Sequence, residues 1–233
     1  MNVSLPLTHN FVHNAAALIG LGNPGESYKN TRHNAGFLFV DYISELLGER
    51  LVEKKKFHAE VAQVAITAQK QLVKSNQLCQ SNQLCQSNQL GQSTQSTQLS
   101  QSNQNFYLAK PNTYMNKSGL AVQALRAFYK LQPKDIFVAF DDLDMELGTV
   151  KVQFGRGPKT HNGIDSIKQQ LGTDQFWHLR IGIDTRKGDR TVPPDKYVLQ
   201  PMNSQELQLL RSSFRSLKDN LSSRGLLAIP GRA

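Results

Sequence analysis

Histidine, aspartate and asparagine recur in this 233-residue chain at positions between hydrophobic runs, where side chains do chemistry more often than packing. Thr31-Arg-His-Asn-Ala-Gly36 sets His33 just ahead of an apolar-periodic stretch. An imidazole with an ordinary pKa of ~6.5 can take a proton from water near neutral pH. Asp141 opens the acidic run Asp141-Asp-Leu-Asp144. Asn23 lies in Gly20-Leu-Gly-Asn-Pro-Gly25, Asn116 in Lys110-Pro-Asn-Thr-Tyr-Met-Asn-Lys-Ser-Gly119, and Asn162 in Thr160-His-Asn-Gly163. Amide side chains both donate and accept, which suits them to a peptide backbone or to a carbonyl oxygen turning into an anion. Taken singly, each of these residues also fits local turn or cap chemistry, with Asn162 placed as the N-cap of one helix and Ser118 of another.

Elements that would position these groups alternate along the chain. Strands are expected at Ala16–Leu21, His58–Thr67, Phe106–Ala109, Ile136–Phe140 (ending at Asp141), Val150–Phe154 and Leu179–Ile183. Helices are expected at Ala35–Leu47, Gly119–Lys130, Gly163–Leu171 and Ser204–Asn220. The order implies a single α/β domain with a mixed twisted sheet flanked by helices, functional loops gathering beyond the strand ends. Gly20–Gly25 matches the dinucleotide pattern G-x-G-x-x-G, yet the helix begins only near Asn34 and no acid closes a second strand. A turn that presents Asn23 is the better reading.

The ordered set GLGNPG, TRHNAGF, KPNTYMNKSG, DDLD and HNG resembles the bacterial-type peptidyl-tRNA hydrolase family over about residues 15–200, apart from a repeat segment. The resemblance implies a phosphorylase/hydrolase-like α/β fold and hydrolysis of the ester between a peptide and tRNA, by a monomer without cofactor or metal. His33 matches the family's catalytic base and Asp141 its carboxylate partner. Asn23, Asn116 and Asn162 match three substrate-side asparagines, with Tyr114 and Met115 as an apolar wall. Lys151 and Arg180 match basic positions used for the tRNA backbone. Two departures stand out. Gln153 replaces a commonly basic residue, and Gly155-Arg-Gly-Pro-Lys-Thr160 is bulkier and stiffer than the usual glycine-rich loop.

Bulk composition agrees with an RNA partner. Net charge is +9 (27 Lys+Arg minus 18 Asp+Glu), and a basic surface steers and holds phosphates. No apolar run approaches the ~18 residues that cross a bilayer, and residues 1–14 lack the charged start of a secretory signal, so a cytoplasmic protein without membrane partners is expected. Cys79 and Cys85 have no companion ligands and form neither a disulfide framework nor a zinc site. Residues 75–104 repeat a six-residue Gln/Ser/Asn-rich unit without charge, read as a disordered insertion replacing a hairpin turn in a domain at 15–233 that follows an extension at 1–14. The Asp141–Asp144 cluster raises a metal-hydrolase alternative, which lacks a histidine ligand pattern.

Overall fold

Ala17, Leu18 and Ile19 are all fully buried, so this first strand must lie inside a sheet covered on both faces. The computed structural model describes residues 15–66 and 104–226 and has that arrangement. Its strands are β1 (Ala15–Gly20), β2 (Val52–Lys54), β3 (Ala59–Ile66), β4 (Gln104–Pro111), β5 (Ile136–Glu146), β6 (Val150–Phe154) and β7 (Trp177–Asp184). They form one sheet in the order β2-β3-β4-β1-β5-β7-β6. The four strands β4, β1, β5 and β7 run parallel, while β2, β3 and β6 pair antiparallel with their neighbours. The sheet is mixed, as the sequence implies.

The helices are α1 (Ala35–Leu47), α2 (Ser118–Tyr129), α3 (Asn162–Leu171), α4 (Pro194–Val198) and α5 (Ser204–Ser223). Strand alternation divides the core into two layers. Leu18, Phe137, Leu179 and Ile181 meet Phe39, Val40 and Ile43 of α1 and Phe214 and Leu217 of α5. Ala17, Ile19, Val138 and Phe140 meet Val122 and Leu125 of α2 and Ile164 and Ile167 of α3. The helices α1 and α3 end in left-handed glycines, Gly48 and Gly172, which supply positive φ without steric cost.

Several boundaries depart from the sequence expectation. β5 does not stop at Asp141 but continues to Glu146, pairing Asp141 with Ile181 and Asp142 with Gly182. Charge suggests a strand end, but here each buried carboxylate has a cationic or imidazole partner that offsets desolvation. Ser118 is the first residue of α2 rather than its cap, and its hydroxyl donates to the Met115 carbonyl at 2.9 Å. β3 and β4 pair from Ala59↔Pro111 to Ile66↔Gln104, forming the expected hairpin. The extension at 1–14 and the repeat insertion lie outside the described residues, except that Gln104 belongs to β4.

Candidate active site

The carboxyl ends of β1, β4 and β5 open at one edge of the sheet, and the segments that leave them converge there. α1 approaches this edge very closely. A Cβ on Gly36 would lie 2.2 Å from the Ala139 carbonyl oxygen and 2.5 Å from the Leu21 nitrogen, so only glycine fits. Packed against the strands, the start of α1 holds the preceding 3-10 turn, Arg32–Asn34, over β5. Arg32 anchors the other side of that turn. Its guanidinium bonds Glu206 on α5 and the carbonyls of Gln200 and Pro201, and lies 4.5 Å from the Tyr197 ring centroid.

His33, between these two anchors, directs Nδ1 at Asp141, 2.9 Å from both carboxylate oxygens. The His33 side chain is 12% exposed and that of Asp141 2%, so the imidazole is reachable while its partner is sealed. Burial opposes charge on both groups, yet their mutual attraction wins. His33 is lowered by burial but raised more by the charge and hydrogen bond of Asp141, leaving its pKa above the ordinary histidine value. Asp141 is raised by burial but pulled far below the usual carboxylate range by His33 and His161.

His161 is the partner that sequence reading misses. It, and not Asn162, is the N-cap of α3, its Nδ1 accepting from the backbone N–H of Gly163 at 3.2 Å and of Ile164 at 3.3 Å. An accepting Nδ1 carries no proton, so the proton sits on Nε2, which donates to Asp141 Oδ1 at 3.1 Å. The sequence signal is its place immediately before the helix, a position that reads as an ordinary cap. The facing atoms of His33, Asp141 and His161 lie within 4.8 Å of one another, a spacing that a metal could span. Ligation through His161 Nε2 would require loss of the proton that the helix cap places there, so the donor set fits a hydrogen-bond chain better than a metal. Asp142 does not join the cluster. It faces the other side of the strand, where it pairs with Arg180.

The GLGN turn is held by amides rather than arranged around a phosphate. The backbone N–H of Asn23 donates to Asn34 Oδ1 at 2.8 Å, and Asn34 Nδ2 donates back to the Asn23 carbonyl at 3.0 Å. Asn23 Oδ1 accepts the Met115 backbone N–H at 2.9 Å, which fixes the orientation of its amide and leaves Nδ2 as the free donor among the described residues. Met115 is buried beneath α3, where a Cβ on Gly163 would come within 2.6 Å of its sulfur. Tyr114, by contrast, is 60% exposed. Asn116 and Asn162 are both exposed, on segments that meet at Met115.

A sequence profile described as peptidyl-tRNA hydrolase matches residues 17–78 and 73–224. The chain is 33% identical to a peptidyl-tRNA hydrolase of Polynucleobacter necessarius, covering 85% of this chain and 86% of the relative. It is also 33% identical to one from Neisseria meningitidis serogroup C, covering 91% and 88%. This chain belongs to the peptidyl-tRNA hydrolase family. The crystal structure of the Acinetobacter baumannii member superimposes with a TM-score of 0.66 at 30% identity, covering 92% of this chain and 88% of that one.

The two basic positions expected from the family pattern differ in character. They face each other across β6 and β7, Lys151 opposite Arg180. Lys151 is exposed, whereas Arg180 is held by Asp142 and by Gln153 Oε1 at 3.0 Å. Gln153, which reads as a missing cation in the sequence, thus positions one. Arg156 and Lys159 are exposed on the loop before α3. His178, sealed near Gly157 of that loop, is no rival base: burial, reinforced by Lys168 and Arg180 against a carbonyl bond from Asp174, pushes its pKa down to about 4. Among the described residues no helix is long and apolar enough to cross a membrane.

Proposed function

We propose that this chain hydrolyses the ester of peptidyl-tRNA through a water activated by His33. The observation that carries the reading is the placement of His33 Nδ1 on a buried, ionised Asp141, which leaves Nε2 as the only ring nitrogen available to a substrate water. Asp141 keeps the proton on Nδ1 and stabilises the imidazolium that forms on Nε2. His161, locked as a donor by the cap of α3, adds a second hydrogen bond to Oδ1 of the same carboxylate.

In the forward step Nε2 takes a proton from water while the oxygen bonds to the ester carbonyl carbon. Collapse of the tetrahedral intermediate breaks the bond to the ribose oxygen, which receives the proton back from Nε2. A positioned base of this kind typically contributes ~10²–10⁴-fold. Asn23, with its oxygen already bonded, can offer only N–H donors to a substrate carbonyl. Asn116 and Asn162 supply exposed amides for the peptide, and Tyr114 and Met115 its apolar side. Polar groups built for a peptide bond go unpaired on a simple aminoacyl ester, which is how the site would spare aminoacyl-tRNA. Lys151 and Arg180 would meet tRNA phosphates, positioning the RNA without reading its sequence. A soluble monomer in the cytoplasm, needing no metal, suits this role.

Release of labelled N-acetyl-amino acid from its tRNA tests the reading, with aminoacyl-tRNA as control. Wild type should cleave the first and spare the second, and His33→Ala should lower the rate by about 10²–10⁴-fold. A well-folded wild type that binds tRNA without cleaving it would point instead to a binding-only relative.

A further inference from the structure

A second group of cations lies far from Lys151, at the opposite edge of the sheet. Lys54 ends β2, and Lys55 and Lys56 form the 3-10 turn that follows; all three are exposed. Strand alternation separates them from the nearby acids. Glu53 pairs with Glu60, whose carboxylate reaches Lys110 beside Asp41 of α1, so these acids belong to the α1 face. Lys54 pairs with Ala59, which packs in the α2 layer, and so turns to the other face. Lys117 and Lys130, at the two ends of α2, are exposed on that side too. Among the described residues none of these five lysines forms an ion pair, whereas Lys29, Arg32, Lys110, Arg180, Arg186 and Arg211 do.

One of the five is already positioned. The Lys56 ammonium lies 3.6 Å from the Phe128 ring centroid and 4.7 Å from that of Phe57. Phe128 is 56% exposed, an unusual place for a phenylalanine unless its ring holds something in water. A lysine resting on a ring has less rotamer freedom left to lose when a phosphate arrives. The turn is also fastened to the substrate-side loop, since Asn112 N–H donates to the His58 carbonyl at 2.7 Å just ahead of Tyr114. Counting six strand spacings of ~4.8 Å, this edge and Lys151 on β6 stand roughly 29 Å apart, with His33 and Asp141 between them.

Resting on the proposed function, we propose that Lys54, Lys55 and Lys56, with Lys130 at the Phe128 end of α2 and Lys117 at its other end, form a second phosphate-binding surface for the RNA body of the substrate. The two basic edges then hold the RNA on both sides of the ester. Because the contacts are to phosphates, they add affinity without sequence preference and make it salt-dependent.

The test is equilibrium binding of deacylated tRNA to the full chain across a salt series. The triple variant Lys54→Ala, Lys55→Ala, Lys56→Ala should bind about tenfold more weakly or worse, and its log–log salt slope should fall by about 2–3, close to one per lost phosphate contact. A control of equal charge loss, Lys187→Ala, Lys196→Ala, Arg215→Ala on exposed residues elsewhere, should change affinity much less. Phe128→Leu should weaken binding modestly with the slope unchanged, because the charge stays but its support is gone. Cleavage of N-acetyl-aminoacyl-adenosine, which lacks the RNA body, should be unaffected in the triple variant and shows that it is folded. Equal weakening in the triple and the control would reduce the effect to net charge and overturn the surface, as would unchanged binding by the triple. Binding is read without turnover, so a wild type that binds but cannot cleave fails the proposed function alone. A wild type that binds no tRNA overturns both.

Discussion

The proposed mechanism gives the two ends of the Asn23 amide different tasks, and they can be separated. Its oxygen satisfies the buried Met115 N–H, while its nitrogen, without a partner among the described residues, is the proposed donor to the substrate. Asn23→Ala removes both, and an orphaned buried N–H costs about 1–3 kcal/mol of stability. Asn23→Asp retains the acceptor for Met115, replaces the donor with a second oxygen and adds a negative charge. It should keep the Met115 bond while single-turnover cleavage falls by at least about 10²–10³-fold, the typical cost of one lost oxyanion donor, with the added charge opposing the oxyanion as well. Near-normal cleavage by Asn23→Asp would show that Nδ2 does not meet the reacting carbonyl. At this scale the meeting of His33 with Asp141 and the turn that presents Asn23 were legible because their motifs are long and ordered. His161 was not, since one histidine before a helix looks like local chemistry until the fold sets its far nitrogen against a carboxylate 20 residues away.

Elements turn such local chemistry into shared machinery. The N-cap of α3 decides the tautomer of His161, and that tautomer decides what Asp141 receives. Asparagine caps a helix well but is too short to span from the cap to Asp141. His161→Asn should therefore unfold within about 1 kcal/mol of wild type yet show a reduced kcat, whereas His161→Ala should lose cap stability as well. Equal kcat in wild type and His161→Asn would confine His161 to capping. Helix and strand periods revealed most elements, α1 and β6 with their observed limits. They missed the extension of β5 through Asp141 and Asp142, because charged residues break an apolar pattern while the backbone ladder to β7 continues. They also missed β2 and α4, at three and five residues too short for a period to register.

Across the whole molecule the site is assembled from distant sequence. Asn23, His33, Met115, Asp141 and His161 come from five segments that meet only because β4, β1 and β5 lie side by side and parallel. That fold class could be inferred from the alternation of elements, but the strand order and the link from Arg32 to Glu206 on α5 depend on packing that no local pattern encodes. The long polar repeat does not obscure the pattern, as β3 and β4 keep continuous register on either side of it. The assembly's central consequence is an imidazole whose protonation is governed by Asp141. In the proposed mechanism neutral His33 is the active form, so activity should rise with pH through the His33 pKa, which Asp141 holds above the ordinary ~6.5. In Asp141→Asn the charge is gone and burial alone remains, which lowers the pKa. The decisive measurement is the pH dependence of kcat/KM for N-acetyl-aminoacyl-tRNA in wild type and Asp141→Asn. The account predicts an acid limb with its midpoint above ~6.5 in wild type and below it in a much slower Asp141→Asn. An unchanged midpoint, or a variant as fast as wild type, would contradict it.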